Sequence, residues 1–244
     1  MKWGFFTPVH IATLVLAALI LGGLYHGLKN KSQRVQTLVL LPLSCSGIAA
    51  IVYNLLRWGE PLAYLPLHLC SLNALILPIA VATRNKKLCN LLLLWCLGAF
   101  VALVANFEMM NTEVFGEAFN FYFFPHVFEF GIPVLMFKLK LVKKDPMCIG
   151  TTLSTTMVLY SIVHLCNLVI NRYCASIGSA LRVNYMFSVE ATNPLTALFY
   201  KLIPHDYWYM YLIIPIVAAY LLVVYAPELA AKYLPTRTHS HTTA

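Results

Sequence analysis

Long apolar stretches set the fold class of this chain of 244 residues. An α-helix rises about 1.5 Å per residue, so it needs about 20 mostly apolar residues to cross the hydrocarbon core of a membrane. The stretches of roughly that length are 8–28, 36–57, 61–83, 88–107, 119–138, 148–170 and 208–229. Because the chain is 60% hydrophobic and only 11% charged, an ordinary soluble domain is excluded. We predict an all-α, polytopic membrane bundle of about seven transmembrane helices.

Little of the chain lies outside these stretches. We predict one membrane domain over residues 1–230, followed by a short polar tail over residues 231–244. The first stretch is preceded by only one basic residue, Lys2, and has no convincing small-residue cleavage site. We therefore expect it to remain as a span and not to be removed as a signal peptide.

Basic residues lie in alternate connections between the predicted spans, which indicates the orientation of the chain. They are Lys29, Lys31 and Arg34; Arg84, Lys86 and Lys87; and Lys138, Lys140, Lys143 and Lys144. The connection after the fourth span carries Glu108, Glu113 and Glu117 and has no Lys or Arg. Because short cytoplasmic connections are enriched in Lys and Arg, we predict the N-terminus outside and the C-terminus in the cytoplasm.

The net charge of +8 is distributed among these connections and is not gathered on one soluble face. We therefore expect no nucleic-acid partner. The expected partners are membrane lipids, as substrate or ligand. The expected location is the plasma membrane in a bacterium or an endomembrane in a eukaryote.

Three histidines lie in apolar stretches, each with a polar residue three positions later. The pairs are His68 with Ser71, His126 with Glu129, and His164 with Asn167. Residues three apart share one helix face, and ionisable side chains in a span nearly always face the bundle interior or a wet cavity. With the predicted orientation, all three histidines lie at a similar depth in the outer half. The pattern predicts one polar cavity built by the third, fifth and sixth spans.

Three amide side chains lie at a similar depth near the ends of neighbouring spans. They are Asn54, Asn106 and Asn171. Buried amides can orient a catalytic imidazole or satisfy backbone groups that a helix kink leaves free. Both roles remain open for these residues.

Several uses of the cavity remain open. Cys70 or Ser71 could be a nucleophile for acyl chemistry, with His126 or His164 as the base. Three histidines and a water would suit a catalytic zinc with Glu129 as base, although no span has a closely spaced ligand pair. A receptor or transporter could use the same groups to bind a ligand or relay protons. Histidines can also simply join helices by hydrogen bonds.

The run from Leu65 to Asn73, Leu-Pro-Leu-His-Leu-Cys-Ser-Leu-Asn, resembles the signature of the YwaF-like bacterial membrane proteins. The segment from His126 to Pro133 resembles the matching segment of the transmembrane protein 164 family. Weaker likeness extends through His164, the run 184–186, and Asn193 with Pro194. The resemblance covers most of the chain from the third span onward.

This resemblance implies a multi-span acyltransferase that acts on phospholipid acyl chains, with a catalytic cysteine and histidine and no metal or other cofactor. His126 falls on the family histidine. The family cysteine position falls on Leu67, three residues before Cys70. Our expected function is lipid acyl transfer or lipid ester hydrolysis, with His126 as base and Cys70, or otherwise Ser71, as nucleophile. The expected supporting residues are His68, Glu129, His164, Asn167, Asn54, Asn106, Asn171 and Asn184.

Overall fold

The computed structural model describes residues 1–105 and 109–233. The α-helices in these ranges are α1 Pro8–Leu28, α2 Gln33–Ser44, α3 Ser46–Arg57, α4 Leu69–Thr83, α5 Lys86–Ala105, α6 Glu117–Lys138, α7 Cys148–Ser176, α8 Pro194–Leu202 and α9 Ile213–Tyr233. Short 3₁₀ turns occupy Pro61–Ala63, Tyr185–Phe187 and Trp208–Leu212. The described ranges contain no β-strand beyond one isolated bridge between Lys2 and Glu113. The all-α prediction is confirmed.

Five helical segments are long and apolar enough to cross a membrane. They are Pro8–Leu28, Gln33–Arg57, Lys86–Ala105, Cys148–Ser176 and Trp208–Tyr233. Helix α4 is apolar but has only 15 residues, and α6 carries Glu117, Glu129 and Lys138 among its 22 residues. The protein is therefore a multi-pass membrane bundle, while the number of seven spans stays a prediction.

The second predicted span consists of two helices that meet at Cys45. Pro42 has no backbone N–H, and the Cys45 N–H bonds to the Pro42 carbonyl, three residues back, at 3.2 Å. Ser46 and Gly47 follow directly, and kinks in helices concentrate at Pro and at Ser/Gly pairs. The break places the start of α3 inside the bundle, where it contacts α4 and α6.

The helix of the third predicted span begins at Leu69 and not at residue 61 as predicted. Residues 61–68 are not an α-helix, because Pro66 lacks a backbone donor and holds the residue before it in an extended conformation. His68 is the extended N-cap residue of α4, with φ −76° and ψ 154°. The prediction that His68 and Ser71 share one helix face is therefore wrong.

Helix α6 is central to the bundle and contacts α1, α2, α3, α4 and α5. Its buried positions include both apolar and polar side chains: Phe119, Phe123, His126, Val127, Glu129, Ile132, Leu135 and Met136. Gly131 lies so close to Leu21 of α1 that a Cβ atom there would collide with the leucine side chain. Because His126 and Glu129 lie on the buried side of this helix, their polar atoms require partners inside the bundle.

The basic connections meet at one end of the bundle. Arg84 donates hydrogen bonds to the Gln33 side chain and to Thr37, and Lys86 pairs with Asp145 at 2.5 Å. At the other end of α1, the N-terminal segment pairs with the connection before α6, where the Val114 N–H donates to the Met1 carbonyl. This arrangement agrees with the predicted alternation of connections. Which end faces the cytoplasm stays a prediction.

Gly47 sets how closely α3 approaches α4 and α6, so we expect Gly47→Ala to destabilise the protein. The new methyl would lie 2.5 Å from the Ala74 Cβ and would also meet the Glu129 carboxyl, so the helices must separate. Overpacking of this kind costs about 1–3 kcal/mol. Thermal unfolding in detergent measures the loss. Gly23→Ala on α1, where a methyl meets nothing within 4 Å, is the control and should not lower the melting temperature. Equal effects of the two changes would contradict this packing.

The ion pair between Lys86 and Asp145 should make stability depend on pH. The hydrogen bond from Lys86 holds the pKa of Asp145 below its ordinary value. A carboxyl with a lowered pKa stabilises the fold above its unfolded pKa of about 4, and this contribution is lost as the pH falls through the folded pKa. We expect Asp145→Asn to lower the melting temperature at pH 7 and to have a smaller effect near pH 3. Glu60→Gln, at an exposed position, is the control. A difference that does not change with pH would contradict the role of the ion pair.

Candidate functional site

The start of α4 presents a thiol among free backbone donors. Cys70 and Ser71 lie in the first turn of α4, and both are half-buried. The N–H groups of Cys70 and Ser71 and the Ser71 hydroxyl lie near the Cys70 sulfur. In the described ranges, the N–H groups of residues 69–71 have no carbonyl acceptor, since the first backbone bond of the helix is from Leu72 to His68. This arrangement combines a nucleophilic atom with N–H groups that can stabilise negative charge.

His126 is buried on α6, and its hydrogen bond indicates which ring nitrogen carries the proton. Its Nδ1 lies 2.7 Å from the Tyr122 carbonyl oxygen. A carbonyl can only accept, so Nδ1 carries the proton, and in the neutral ring Nε2 has a free lone pair. The ring also stacks on Tyr122, with 4.3 Å between the centroids. Tyr122 is in turn fixed by donating its hydroxyl to the Ala102 carbonyl of α5. The imidazole is therefore held as an oriented base.

Glu129 follows His126 by three residues on the same buried face of α6. Its carboxyl lies against Gly47 of α3, and its backbone carbonyl accepts a hydrogen bond from Asn73 Nδ2 at 3.0 Å. The start of α4 thus faces the part of α6 that carries Glu129 and, one turn away, His126.

His68 and His164 belong to a different group of contacts, centred on the segment that follows α7. We call residues 183–188 the crossing segment. The Met186 N–H donates to His68 Nδ1 at 3.4 Å, and the His68 ring packs edge-on against Tyr185. His164 Nδ1 lies 3.0 Å from Ser188 Oγ. Among the described residues, no hydrogen bond or ring contact joins His126 to either of these histidines. The structure therefore brings together two of the three histidines.

Two asparagines of α7 bind the crossing segment much as a neighbouring strand would. The Asn167 side chain accepts from the Tyr185 N–H and donates to the Tyr185 carbonyl and to Ser188 Oγ. One turn along, Asn171 accepts from the Val183 N–H and donates to the Val183 carbonyl. Because these backbone groups are taken away from water, each would be costly to leave unpaired. The two amides therefore have a structural role.

The remaining predicted amides have local contacts. Asn54 accepts a hydrogen bond from the Trp58 indole N–H, one turn away at the end of α3. Asn184 accepts from the N–H groups of Val189 and Glu190 and so closes the loop after the crossing segment. Asn106 and Glu108 lie outside the described residues.

Sequence reasoning missed several buried polar residues, and His10 and Ser188 are two examples. His10 is fully buried, accepts from the Phe6 N–H and bonds the Leu103 carbonyl at 2.9 Å. Ser188 is also fully buried, and its carbonyl accepts from the Tyr207 N–H. His10 lies near the start of an apolar stretch, which was its only sequence signal. Ser188 gave no signal because its partners are distant in sequence.

The predicted residues do not form a set of metal ligands in this arrangement. In residues 1–105 and 109–233, no group of three or more His, Cys, Asp or Glu side chains is placed to hold a metal ion. The alternative of a zinc hydrolase built on three histidines therefore has no ligand set in that part of the chain.

A comparison with models of protein families decides the relationship of the chain. The model described as the TMEM164 family matches residues 5–225. This protein belongs to the TMEM164 family. Neither curated proteins nor solved structures gave a match. The matched range includes α4, α6, α7 and the crossing segment of this TMEM164-family protein.

We expect the Asn167 side chain to stabilise the crossing segment in its position against α7. Asn167→Ala removes three hydrogen bonds and leaves the Tyr185 backbone groups unpaired, which we expect to cost about 2–4 kcal/mol. The melting temperature should fall, and trypsin should cleave faster after the exposed Arg182. Leu168→Ala changes the neighbouring exposed position and is the matched control. Cleavage at the same rate in the two variants would show that Asn167 does not hold the segment.

Proposed function

We propose that this protein transfers or hydrolyses lipid acyl chains through a thioester on Cys70, with His126 as the general base. The observation that carries the proposal is the environment of Cys70. Its sulfur lies among unpaired N–H groups at the start of a helix that faces the helix carrying the oriented His126 imidazole. Membership of the TMEM164 family agrees with a membrane location but names no reaction.

The reaction has two steps. His126 Nε2 takes the proton of the Cys70 thiol as the sulfur attacks the ester carbonyl of a lipid, and the carbonyl oxygen becomes negative. The free N–H groups of residues 69–71 are the donors for that oxygen. The S–C bond then persists while the C–O bond breaks, and the leaving lipid alcohol takes the proton from His126. In the second step a lipid hydroxyl or a water gives its proton to His126 and attacks the thioester, which frees the thiol.

An apolar groove beside the site supports a lipid substrate. The groove has a volume of about 330 Å³ and lies between the residues before α4 and the outer surface of α7. Its lining includes Leu65, Leu67, Leu165 and Val169, and no polar side chain contributes. Leu67 is only three residues from Cys70. The groove is suitable for an acyl chain because a hydrocarbon tail requires apolar surface and no hydrogen-bond partner.

A second candidate function is a receptor or transporter that binds a ligand or proton without covalent chemistry. The observation that favours it is the Glu129 carboxyl, which lies inside the bundle without an ion-pair partner in the described ranges. Ionisable groups in this situation commonly mark a binding or proton pathway.

Acyl labelling distinguishes these functions and tests the roles of individual residues. Purified protein in detergent would be incubated with an activated long-chain acyl donor, and the bound acyl group counted for wild type and variants. We expect Cys70→Ala to abolish labelling and His126→Ala to slow it by about 10²-fold or more, because it removes the base. Ser71→Ala should retain labelling.

Cys166→Ala is the matched control, since Cys166 is a half-buried cysteine of α7 that lines the apolar groove. It should be labelled like wild type, and thermal unfolding should show that all variants are folded. Loss of labelling in Ser71→Ala alone would make serine the nucleophile. Equal labelling of all folded variants would contradict covalent acyl chemistry.

A further inference from the structure

Three buried oxygen atoms lack partners where α3, α4 and α6 cross. They are Ser46 Oγ, Asn73 Oδ1 and Glu129 Oε2, and none has a hydrogen-bond partner in the described ranges. Asn73 is fully buried and Glu129 is 4% exposed. Nearly all buried polar atoms in native proteins are paired, so three unpaired oxygens in one region require an explanation.

Contacts on the three helices place Asn73 beside Glu129, and place Gly47, the residue after Ser46, against the Glu129 carboxyl. Asn73 Nδ2 donates to the Glu129 backbone carbonyl, which fixes the amide beside α6. The Glu129 carboxyl lies against Gly47, where a Cβ atom would collide with it. Gly47 directly follows Ser46 at the kinked start of α3, and Ala74, beside Asn73, is the other neighbour of Gly47. The absence of a side chain at Gly47 therefore makes room for the carboxyl.

The charge of Glu129 has no compensating group nearby in the described ranges. The two salt bridges found there, Lys86 with Asp145 and Lys144 with Glu228, are at the end of the bundle that carries the basic connections. His126 is one turn away, but its Nδ1 proton is donated to the Tyr122 carbonyl. A buried carboxylate is stable only when it is paired, hydrogen-bonded or bound to a cation.

The ligand that suits this set of atoms is a small, hard, monovalent cation. All three unpaired atoms are oxygens, one each from a carboxylate, an amide and a hydroxyl, and hard cations prefer such ligands. One carboxylate balances one positive charge, whereas the second charge of a divalent ion would remain uncompensated inside the bundle. We propose that Ser46, Asn73 and Glu129 form a binding site for Na⁺.

This site is independent of the proposed acyl chemistry, so its test uses stability and not activity. Full-length protein in detergent at pH 8 would be titrated with NaCl, with choline chloride keeping the ionic strength constant. A ligand that binds only the folded state raises the melting temperature, by about 5 °C at a hundredfold excess over its Kd. We expect Na⁺ to give this rise, and K⁺ and choline to give little or none.

Variants connect the response to the three residues. Glu129→Gln keeps the size of the side chain and removes its charge, so it should abolish the Na⁺ response. Ser46→Ala, a smaller change that is expected to leave the fold intact, should raise the Na⁺ concentration at half-response by about tenfold, equivalent to one lost ligand. Glu228→Gln, which removes the carboxylate of the half-buried Lys144 ion pair, is the matched control and should respond like wild type.

The outcomes are distinct. A Na⁺-selective rise that is lost in Glu129→Gln and weakened in Ser46→Ala would establish the site. Equal melting temperatures of wild type in Na⁺, K⁺ and choline would overturn it, as expected for a permanently protonated carboxyl or a trapped water. Persistence of the full Na⁺ response in Ser46→Ala and Glu129→Gln would also overturn it, since the ion would then bind elsewhere.

Discussion

A carboxyl group without a charged partner lies on the helix that the rest of the bundle surrounds. Helix α6 contacts five other helices, and Glu129 is buried among them. The neighbouring helix α3 leaves space for this carboxyl, and α4 bonds to the α6 backbone beside it. Gly47 removes a side chain from α3 where the carboxyl needs space, and Asn73 of α4 bonds to the α6 backbone at the same residue. The polar centre of the bundle depends on this three-helix crossing.

The buried polar residues of α6 differ from those of α7 in how their hydrogen-bonding atoms are used. Helix α6 carries two side chains with unused hydrogen-bonding atoms, namely His126 Nε2 and Glu129 Oε2. On α7, Asn167 and Asn171 bind backbone groups of the crossing segment and His164 binds the Ser188 hydroxyl, so these residues hold the segment in place. The same residue types therefore keep unused hydrogen-bonding atoms on one side and hold a neighbouring segment on the other. The distinction depends on which hydrogen-bond capacity is left unused.

The length of the apolar stretches and the composition were sufficient to predict the all-α membrane bundle, because lipid permits few other arrangements of backbone hydrogen bonds. The start of α4 was predicted wrongly because an apolar run continues through Pro66, and hydropathy does not distinguish extended from helical chain. The i, i+3 pairing of His126 and Glu129 on one buried face is confirmed, since α6 is helical throughout. The roles of His164 and Asn167 could not be predicted, because their partners Tyr185 and Ser188 lie about 20 residues away in an irregular segment.

The central claim is that Cys70 and His126 act in one cavity, and metal-dependent protection of Cys70 tests it without a lipid substrate. Cd²⁺ binds strongly where a thiolate and an imidazole nitrogen are within reach of one ion. Alkylation of the peptide that contains Cys70 would be followed by mass spectrometry with and without Cd²⁺, in wild type and in folded His126→Ala. The account predicts that Cd²⁺ slows alkylation in wild type and that this protection is lost in His126→Ala. Equal protection in both proteins, or protection in neither, would contradict it.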